Sequence, residues 1–327
     1  TTTSVPSTLG VALKAAASVT VAALQTELPP IRVAVFILCA SARCANRPPA
    51  AFCLRPAFVR FEIRPGIRLQ FSPALWYTIA DLTGGVYETT SGRDVGGIEE
   101  ILRDTDTRSR ELRALGINVN FAPVCDVSTD PKDFIYDRTL GQDANMTADY
   151  VRLVVPAMTE GGTLPVLKHF PGYGNNVDTH TGIAVDQRPM ETFENSDLLP
   201  FQAGIDVGAP FVLVSHNIVT CMDADLPASL SPAVHRVLRE ACGFEGIAIT
   251  DDLAMDAVQA YAKNGAVAVM ALQAGNDMII TTDYRTQIPA VIAAVQDGTL
   301  DESVIDNACL RVLHCKDTFL RIPENNP

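Results

Sequence analysis

A parallel α/β fold closed into a barrel is what this chain predicts, and three observations carry it. Short apolar runs recur at about 33, 118, 165, 212, 248 and 278, each bounded by turn residues, as buried strands are. Helical stretches lie between most of them, a rhythm that makes a parallel sheet. Polar candidates for chemistry stand at the ends of several different strands, which favours a closed barrel over an open sheet. An open nucleotide-binding sheet would want a Gly-x-Gly-x-x-Gly turn after a strand, and none is well placed.

In chain order, residues 8–28 are rich in Ala and Leu and predict a helix, and 32–39 predict a buried strand. Residues 40–70 break the pattern with Arg43, Arg47, Arg55, Arg60, Arg64 and Arg68 and the Pro48–Pro49 pair. Residues 1–75 hold eight basic and two acidic side chains, net +6 against −13 for the whole chain, so the remainder carries −19. From about residue 96 the pattern is orderly: 97–115 form a charged amphipathic helix that Gly116 ends. Residues 117–121 are a strand that runs into a loop through Asp126 to Arg138. Asp126 reads as structural. The Arg138 fork can bind hydroxyls or an acid at two points, or it can order the loop by pairing with Asp126 or Asp137. Residues 146–160 are a helix, and 194–207 another. Residues 211–214 are a strand ending at Ser215-His216, where His216 reads as a pocket wall or a hydrogen-bonded core histidine. Ser231 is a good N-cap before Pro232, and that helix runs to Cys242 and Gly243.

The strand at 246–251 ends in Asp251, with Asp252 next to it. Alternation sets the two carboxylates on opposite sides, so only one readily faces a barrel mouth. Their competing role is to cap a helix that begins near Leu253. An Ala-rich helix at 256–274, a strand at 277–280 and helices at 285–297 and 301–320 complete the chain.

The size, 327 residues, suits one large barrel or two ordinary domains, and 47% apolar residues sustain a sizeable core. The net charge of −13 argues against nucleic acid or an anionic membrane as partner. No apolar stretch reaches the ~18 residues of a transmembrane helix. Eight cysteines scatter without a Cys-x-x-Cys pair, which speaks against a zinc site or a disulfide framework. Reduced thiols of that kind favour the cytoplasm. The start at Thr1 reads as processed, trimmed or incomplete, which leaves a removed signal peptide and secretion open.

The chemistry concentrates in residues 164–182, Leu-Pro-Val-Leu-Lys-His-Phe-Pro-Gly-Tyr-Gly-Asn-Asn-Val-Asp-Thr-His-Thr-Gly. Lys168 and His169 stand where a strand leaves the core, and Asp178 and His180 on the loop beyond. In extended chain, residues i and i+2 point to the same side. Asp178 can then hold His180, fixing its tautomer and raising its pKa for proton transfer near neutrality. The plainer alternative is an ordinary loop histidine. Gly172, Gly174 and Gly182 indicate unusual backbone angles or close approach of a ligand.

Lys168-His169-Phe170-Pro171-Gly172-x-Gly174, followed by Asp178-x-His180, resembles the signature of glycoside hydrolase family 3, and more narrowly its β-N-acetylglucosaminidase branch. Tyr173 stands where a histidine is common and Asn175 where an aspartate is common. The resemblance covers roughly residues 96–320. It implies a TIM-type (β/α)8 barrel, irregular in its N-terminal part, as a single catalytic domain over 1–327 with 1–95 divergent. It implies retaining hydrolysis of terminal β-linked N-acetylglucosamine, with Asp251 as nucleophile. The His180–Asp178 dyad is then the acid/base in place of a second carboxylate. Lys168, His169 and Arg138 would hold sugar hydroxyls. Glu62 is the nearest counterpart of an early acidic residue that grips the sugar in the family, although its surroundings do not align cleanly. The implied partner is an N-acetylglucosamine-containing oligosaccharide, from muropeptides or chitin, and no metal or organic cofactor is required. Two alternatives stay open: a phosphorylase of the same branch, since a neutral imidazole repels phosphate less than a carboxylate does, and an inactive sugar-binding relative, motivated by residues 40–70.

Overall fold

The structure, a computed structural model, describes residues 97–176, 182–261 and 267–319, with strand backbone at 37–38, 60–64 and 67–70. The helix expected at 8–28 lies outside the described residues, as do Asp178 and His180. The strands are β1 (Ile37–Leu38), β2 (Arg60–Arg64), β3 (Ile67–Gln70), β4 (Val119–Asn120), β5 (Leu164–Phe170), β6 (Val185–Asp186), β7 (Phe211–Val214), β8 (Ile218–Val219), β9 (Ile247–Asp252) and β10 (Met278–Ile280). Six of them form one sheet in the order β1-β10-β9-β7-β5-β4, paired in parallel throughout. Among the described residues the first strand therefore lies beside the last, Ile37 opposite Ile279, as a barrel wall requires at its seam. The described strands form an arc of such a wall, since none of them stands between β1 and β4. β2 and β3 pair with each other in an antiparallel hairpin, and β6 and β8 form a small parallel pair.

Alternation along the strands sorts the core into two sides. Val166, Leu213, Ile249 and Ile280 gather on one face, with Val312 and Cys315 closing over them. Leu167, Val212, Val214 and Ala248 point to the other face and meet Val151, Phe201 and Leu238 from the covering helices. Both faces are buried, which explains why these strands read as continuous apolar runs in the sequence. By this alternation Lys168 and Asp251 continue the row of Val166 and Ile249, toward the inner side of the arc.

The helices are α1 (Ile98–Ala114), α2 (Ala144–Glu160), α3 (Leu198–Asp206), α4 (Pro232–Arg236), α5 (Asp256–Gln259), α6 (Val267–Ala274), α7 (Tyr284–Gln296) and α8 (Glu302–Phe319). In α1, Glu99 and Glu100 occupy the first turn and Arg113 the last, each favourable to the helix dipole. Gly116 adopts φ 81° just beyond its end. Asp143 caps α2 by accepting from Met146 N at 2.9 Å. The helix expected at 194–207 starts earlier, with one α-helical turn at Met190–Thr192, and passes through a π segment, Phe193–Asp197, before α3. Ser231 caps α4 through Val234 N at 3.2 Å, and Gly243 at φ 65° follows the end of that helical stretch. The helix expected near Leu253 begins at Asp256, because Asp252 accepts from Ala254 N and the chain makes a turn first. No described helix is long and apolar enough to cross a membrane.

Candidate active site

Four strand ends bring the polar groups together. Asp251 ends β9 on the inner side, and Asp252 N donates to its Oδ1 at 2.9 Å. Burial presses the Asp251 carboxyl upward, but its neighbours His216 and His169, the Asp252 N–H and the Lys168 ammonium more than offset it. Its pKa therefore lies below the ordinary aspartate value, and Asp251 is a carboxylate at neutral pH. Asp252 is committed elsewhere: its Oδ1 accepts from Ala254 N at 2.9 Å and from Thr282 N at 3.1 Å. The two acids that the strand pattern left to be distinguished thus have different work, one facing the site and one holding backbone.

His169, at the end of β5, is buried. Asp126 lies fully buried beneath it and accepts from His169 N at 3.1 Å, His169 Nδ1 at 2.8 Å and Tyr173 N at 2.8 Å. A carboxylate only accepts, so Nδ1 carries the proton and Nε2 is the acceptor for Arg138 Nη2 at 3.4 Å. Burial lowers the His169 pKa against the raising effect of Asp126, with Arg138 and Lys168 adding to the lowering, so the ring stays neutral. Asp126 is structural, as its sequence context suggests, and Arg138 leans on His169. Tyr173 stands edge-on to the His169 ring, 5.3 Å between centroids at 89°. The peptide bonds Ala122–Pro123, Lys168–His169 and Phe170–Pro171 are cis.

His216 lies beyond the end of β7, buried, with Nδ1 2.8 Å from Ser229 Oγ and Nε2 3.0 Å from the Asp252 carbonyl. It is the hydrogen-bonded histidine the sequence indicates, and it also supports the backbone that bears Asp251. The site therefore unites Asp251, Lys168, His169 and Arg138. Asp178 and His180 belong to the span between Asn176 and Gly182 and are outside the described residues. Glu62 falls in the β2–β3 hairpin, which pairs with none of the six parallel strands.

One group has no counterpart in the sequence reading. The Arg188 guanidinium donates to Asp186 through Nε at 3.0 and 3.1 Å and Nη2 at 2.8 Å. It donates to Asp197 through Nη1 at 3.0 Å and Nη2 at 2.8 Å, and lies 4.6 Å over the Phe193 ring. Asn176 Nδ2 donates to Asp186 Oδ2 at 2.9 Å. Gly172 (φ 122°) and Gly174 (φ 54°) show why this turn is glycine-rich. A Cβ on Gly172 would lie 2.7 Å from Asp197 Oδ1, and one on Gly174 would overlap the Arg188 guanidinium. The two glycines make room for this ion network, and they were the one signal for it in the sequence.

Residues 91–315 match the family described as glycosyl hydrolase family 3 N terminal domain. The β-hexosaminidase LpqI of Mycobacterium tuberculosis is 33% identical over 241 residues, 70% of this chain and 61% of that protein. A β-hexosaminidase of Xylella fastidiosa is 38% identical over 172 residues, 52% of this chain and 51% of that protein. Among solved structures, a family 3 β-N-acetylglucosaminidase from Paenibacillus sp. superposes with a TM-score of 0.66 at 31% identity, covering 69% of this chain and 44% of that one. A family 3 glycosyl hydrolase from Mycobacterium smegmatis gives 0.65 at 33%, covering 72% and 74%. The chain thus spans little more than half the length of the curated relatives it matches.

Proposed function

The chain belongs to glycoside hydrolase family 3, and on that premise we propose that it is a retaining β-N-acetylglucosaminidase that removes terminal β-linked N-acetylglucosamine from oligosaccharides. The observation that carries this reading is Asp251: an inner-face carboxylate whose pKa is held below the ordinary value beside His216, His169 and Lys168, with one oxygen steadied by the Asp252 N–H. That is the state a nucleophile needs. The relatives' names, β-hexosaminidase and β-N-acetylglucosaminidase, support the sugar.

In this reading the Asp251 oxygen attacks the anomeric carbon and the glycosidic C–O bond breaks. His180, oriented by Asp178, gives its proton to the leaving oxygen. His180 then takes a proton from water, which displaces Asp251 and releases the sugar with its β configuration retained. Lys168 and Arg138 grip the sugar hydroxyls; His169 contributes by steadying Arg138 through Nε2, and Glu62 contributes from the hairpin. The enclosing scaffold is a (β/α)8 barrel formed by a single catalytic domain, of which the six parallel strands are part. Fragments of cell-wall muropeptide and of chitin are the substrate classes to compare.

The test is turnover of a chromogenic N-acetylglucosaminide beside the plain glucoside, with and without phosphate. Hydrolysis of the first alone, unaffected by phosphate, is expected. Asp251→Asn should lower kcat/KM by at least about 10³-fold while the fold is kept. A sugar phosphate as product would make the chain a phosphorylase, and binding of the sugar without turnover by the parent chain would make it a sugar-binding relative.

A further inference from the structure

We propose that His216 is a positioning residue for the Asp251 carboxylate, acting through Asp252, and that the Ser229 hydroxyl fixes the imidazole tautomer this requires. The inference rests on the nucleophile reading of Asp251 above. Asp252 is the residue whose N–H steadies Asp251 Oδ1, at 2.9 Å. β9 lies between β7 and β10, and Asp252 is braced from both sides. Beyond the end of β10, Thr282 N donates to Asp252 Oδ1 at 3.1 Å. Beyond the end of β7, His216 Nε2 lies 3.0 Å from the Asp252 carbonyl oxygen, which also accepts from Met255 N at 3.0 Å. A carbonyl only accepts, so Nε2 carries the His216 proton. In the neutral ring Nδ1 is then the acceptor, and the Ser229 hydroxyl donates to it at 2.8 Å.

Ser229 is itself held in place. It belongs to the 3-10 turn Ala228–Leu230; its N–H donates to Ser215 O at 2.9 Å, and its carbonyl accepts from Asn276 Nδ2 at 2.8 Å. Asn276 Nδ2 also donates to Ala271 O at 2.7 Å, which fixes the orientation of that amide. Ser215, His216, Ser229 and Asn276 are all buried, so this column of polar groups runs through the interior. Sealed hydrogen-bonded pairs add little net stability over apolar groups of the same shape, but they fix direction. The direction fixed here is that of the main chain at Asp252, one residue beyond the nucleophile. A misplacement of about 1 Å at the reacting atoms can cost about 10²-fold.

The experiment compares His216→Gln, His216→Asn, Ser229→Ala and Asp251→Asn with the parent chain. kcat/KM is measured on a dinitrophenyl N-acetylglucosaminide, whose leaving group needs no acid, so that the attack of Asp251 is the step observed. Inhibition by free N-acetylglucosamine and thermal melting are measured alongside. The Gln side-chain nitrogen falls where Nε2 stood and donates to the Asp252 carbonyl; the Asn nitrogen falls where Nδ1 stood and does not reach it. His216→Asn should lose about 10²-fold, and His216→Gln should recover at least about tenfold of that loss. Ser229→Ala should lose about tenfold, because Nδ1 is then free to take the proton. Inhibition by N-acetylglucosamine should stay within about twofold of the parent in all three, because the brace touches the nucleophile's strand and not the sugar. Ser229→Ala removes a single buried atom and carries the test should a His216 variant fail to fold. Equal turnover in His216→Gln and His216→Asn, undiminished turnover in Ser229→Ala, or inhibition lost in step with turnover overturns the brace alone. Turnover kept by Asp251→Asn overturns the nucleophile reading and the brace with it.

Discussion

Asp251 and Asp252 differ because a strand turns successive side chains to opposite faces, and the neighbours on each face do the rest. Asp252 meets two backbone N–H groups and holds a turn; Asp251 meets Lys168, two imidazoles and a backbone N–H and stays charged. The same residue-scale logic governs His169. Its folded pKa lies below the ordinary value of 6.5, chiefly through burial. An unfolded chain then binds that proton more readily than the folded one. Stability is whole above pH 6.5 and is lost as pH falls below it toward the folded value. Urea midpoints measured from pH 8 to pH 5.5 should decline in the parent chain and decline less in His169→Gln; equal slopes would remove His169 as a source. His235, also buried with its pKa lowered by burial, accounts for the slope that the variant keeps. At this scale Asp251, Lys168 and His169 were legible, because each ends an apolar run. The Arg188 network was not: Asp186, Arg188 and Asp197 carry no motif spacing, and their pairing depends on a loop folding back.

At the scale of elements, α3 packs closely on β5. A Cβ on Gly204 would lie 2.7 Å from both Leu167 methyl carbons and 3.0 Å from Val151 Cγ1. The helix can approach the strand this closely only because glycine stands there. Gly204→Ala gains about 0.5–1 kcal/mol of helix preference and meets about 1–3 kcal/mol of overpacking. A net loss of about 1–2 kcal/mol is expected in denaturant unfolding, and a stabilised variant would show that α3 has room to move. Strands β5, β7, β9 and β10 were readable because both of their faces are buried, which leaves unbroken apolar runs. The first turns of the helix before α3 were read as ordinary α-helix, since a π segment has no composition of its own; Phe193–Asp197 brings Asp197 under Gly172. The turn after β9 was read as helix because Asp252 resembles a cap, and it does bind backbone N–H groups, but of a turn.

At the scale of the whole molecule, the two ends of the sheet divide the labour. Asp277 stands at the start of β10, the opposite end from Asp251. Its carboxylate accepts from Arg239 Nη2 and Arg311 Nη1, each at 2.7 Å, and from Ala248 N at 2.9 Å. One side chain thereby joins β9, β10, α8 and the stretch after α4. Breaking a sealed ion pair costs about 3–5 kcal/mol, but both guanidiniums here reach solvent, so Asp277→Asn should cost about 2–3 kcal/mol. That loss should appear in unfolding while kcat/KM is unchanged; a fall in turnover without a fall in stability would contradict the division. The parallel α/β class was plain from the strand rhythm, whereas the ring order was inferred from where the polar residues stood. The pairing of β1 with β10 could not be read locally, because it joins segments from opposite ends of the chain. That pairing also governs when the protein can finish folding. On the ribosome, Ile37 emerges early and its partner Ile279 late, so the β1–β10 pair forms only near the end of synthesis. Until then β1 lacks that partner, and a chain stalled before residue 279 would be a natural client for chaperones.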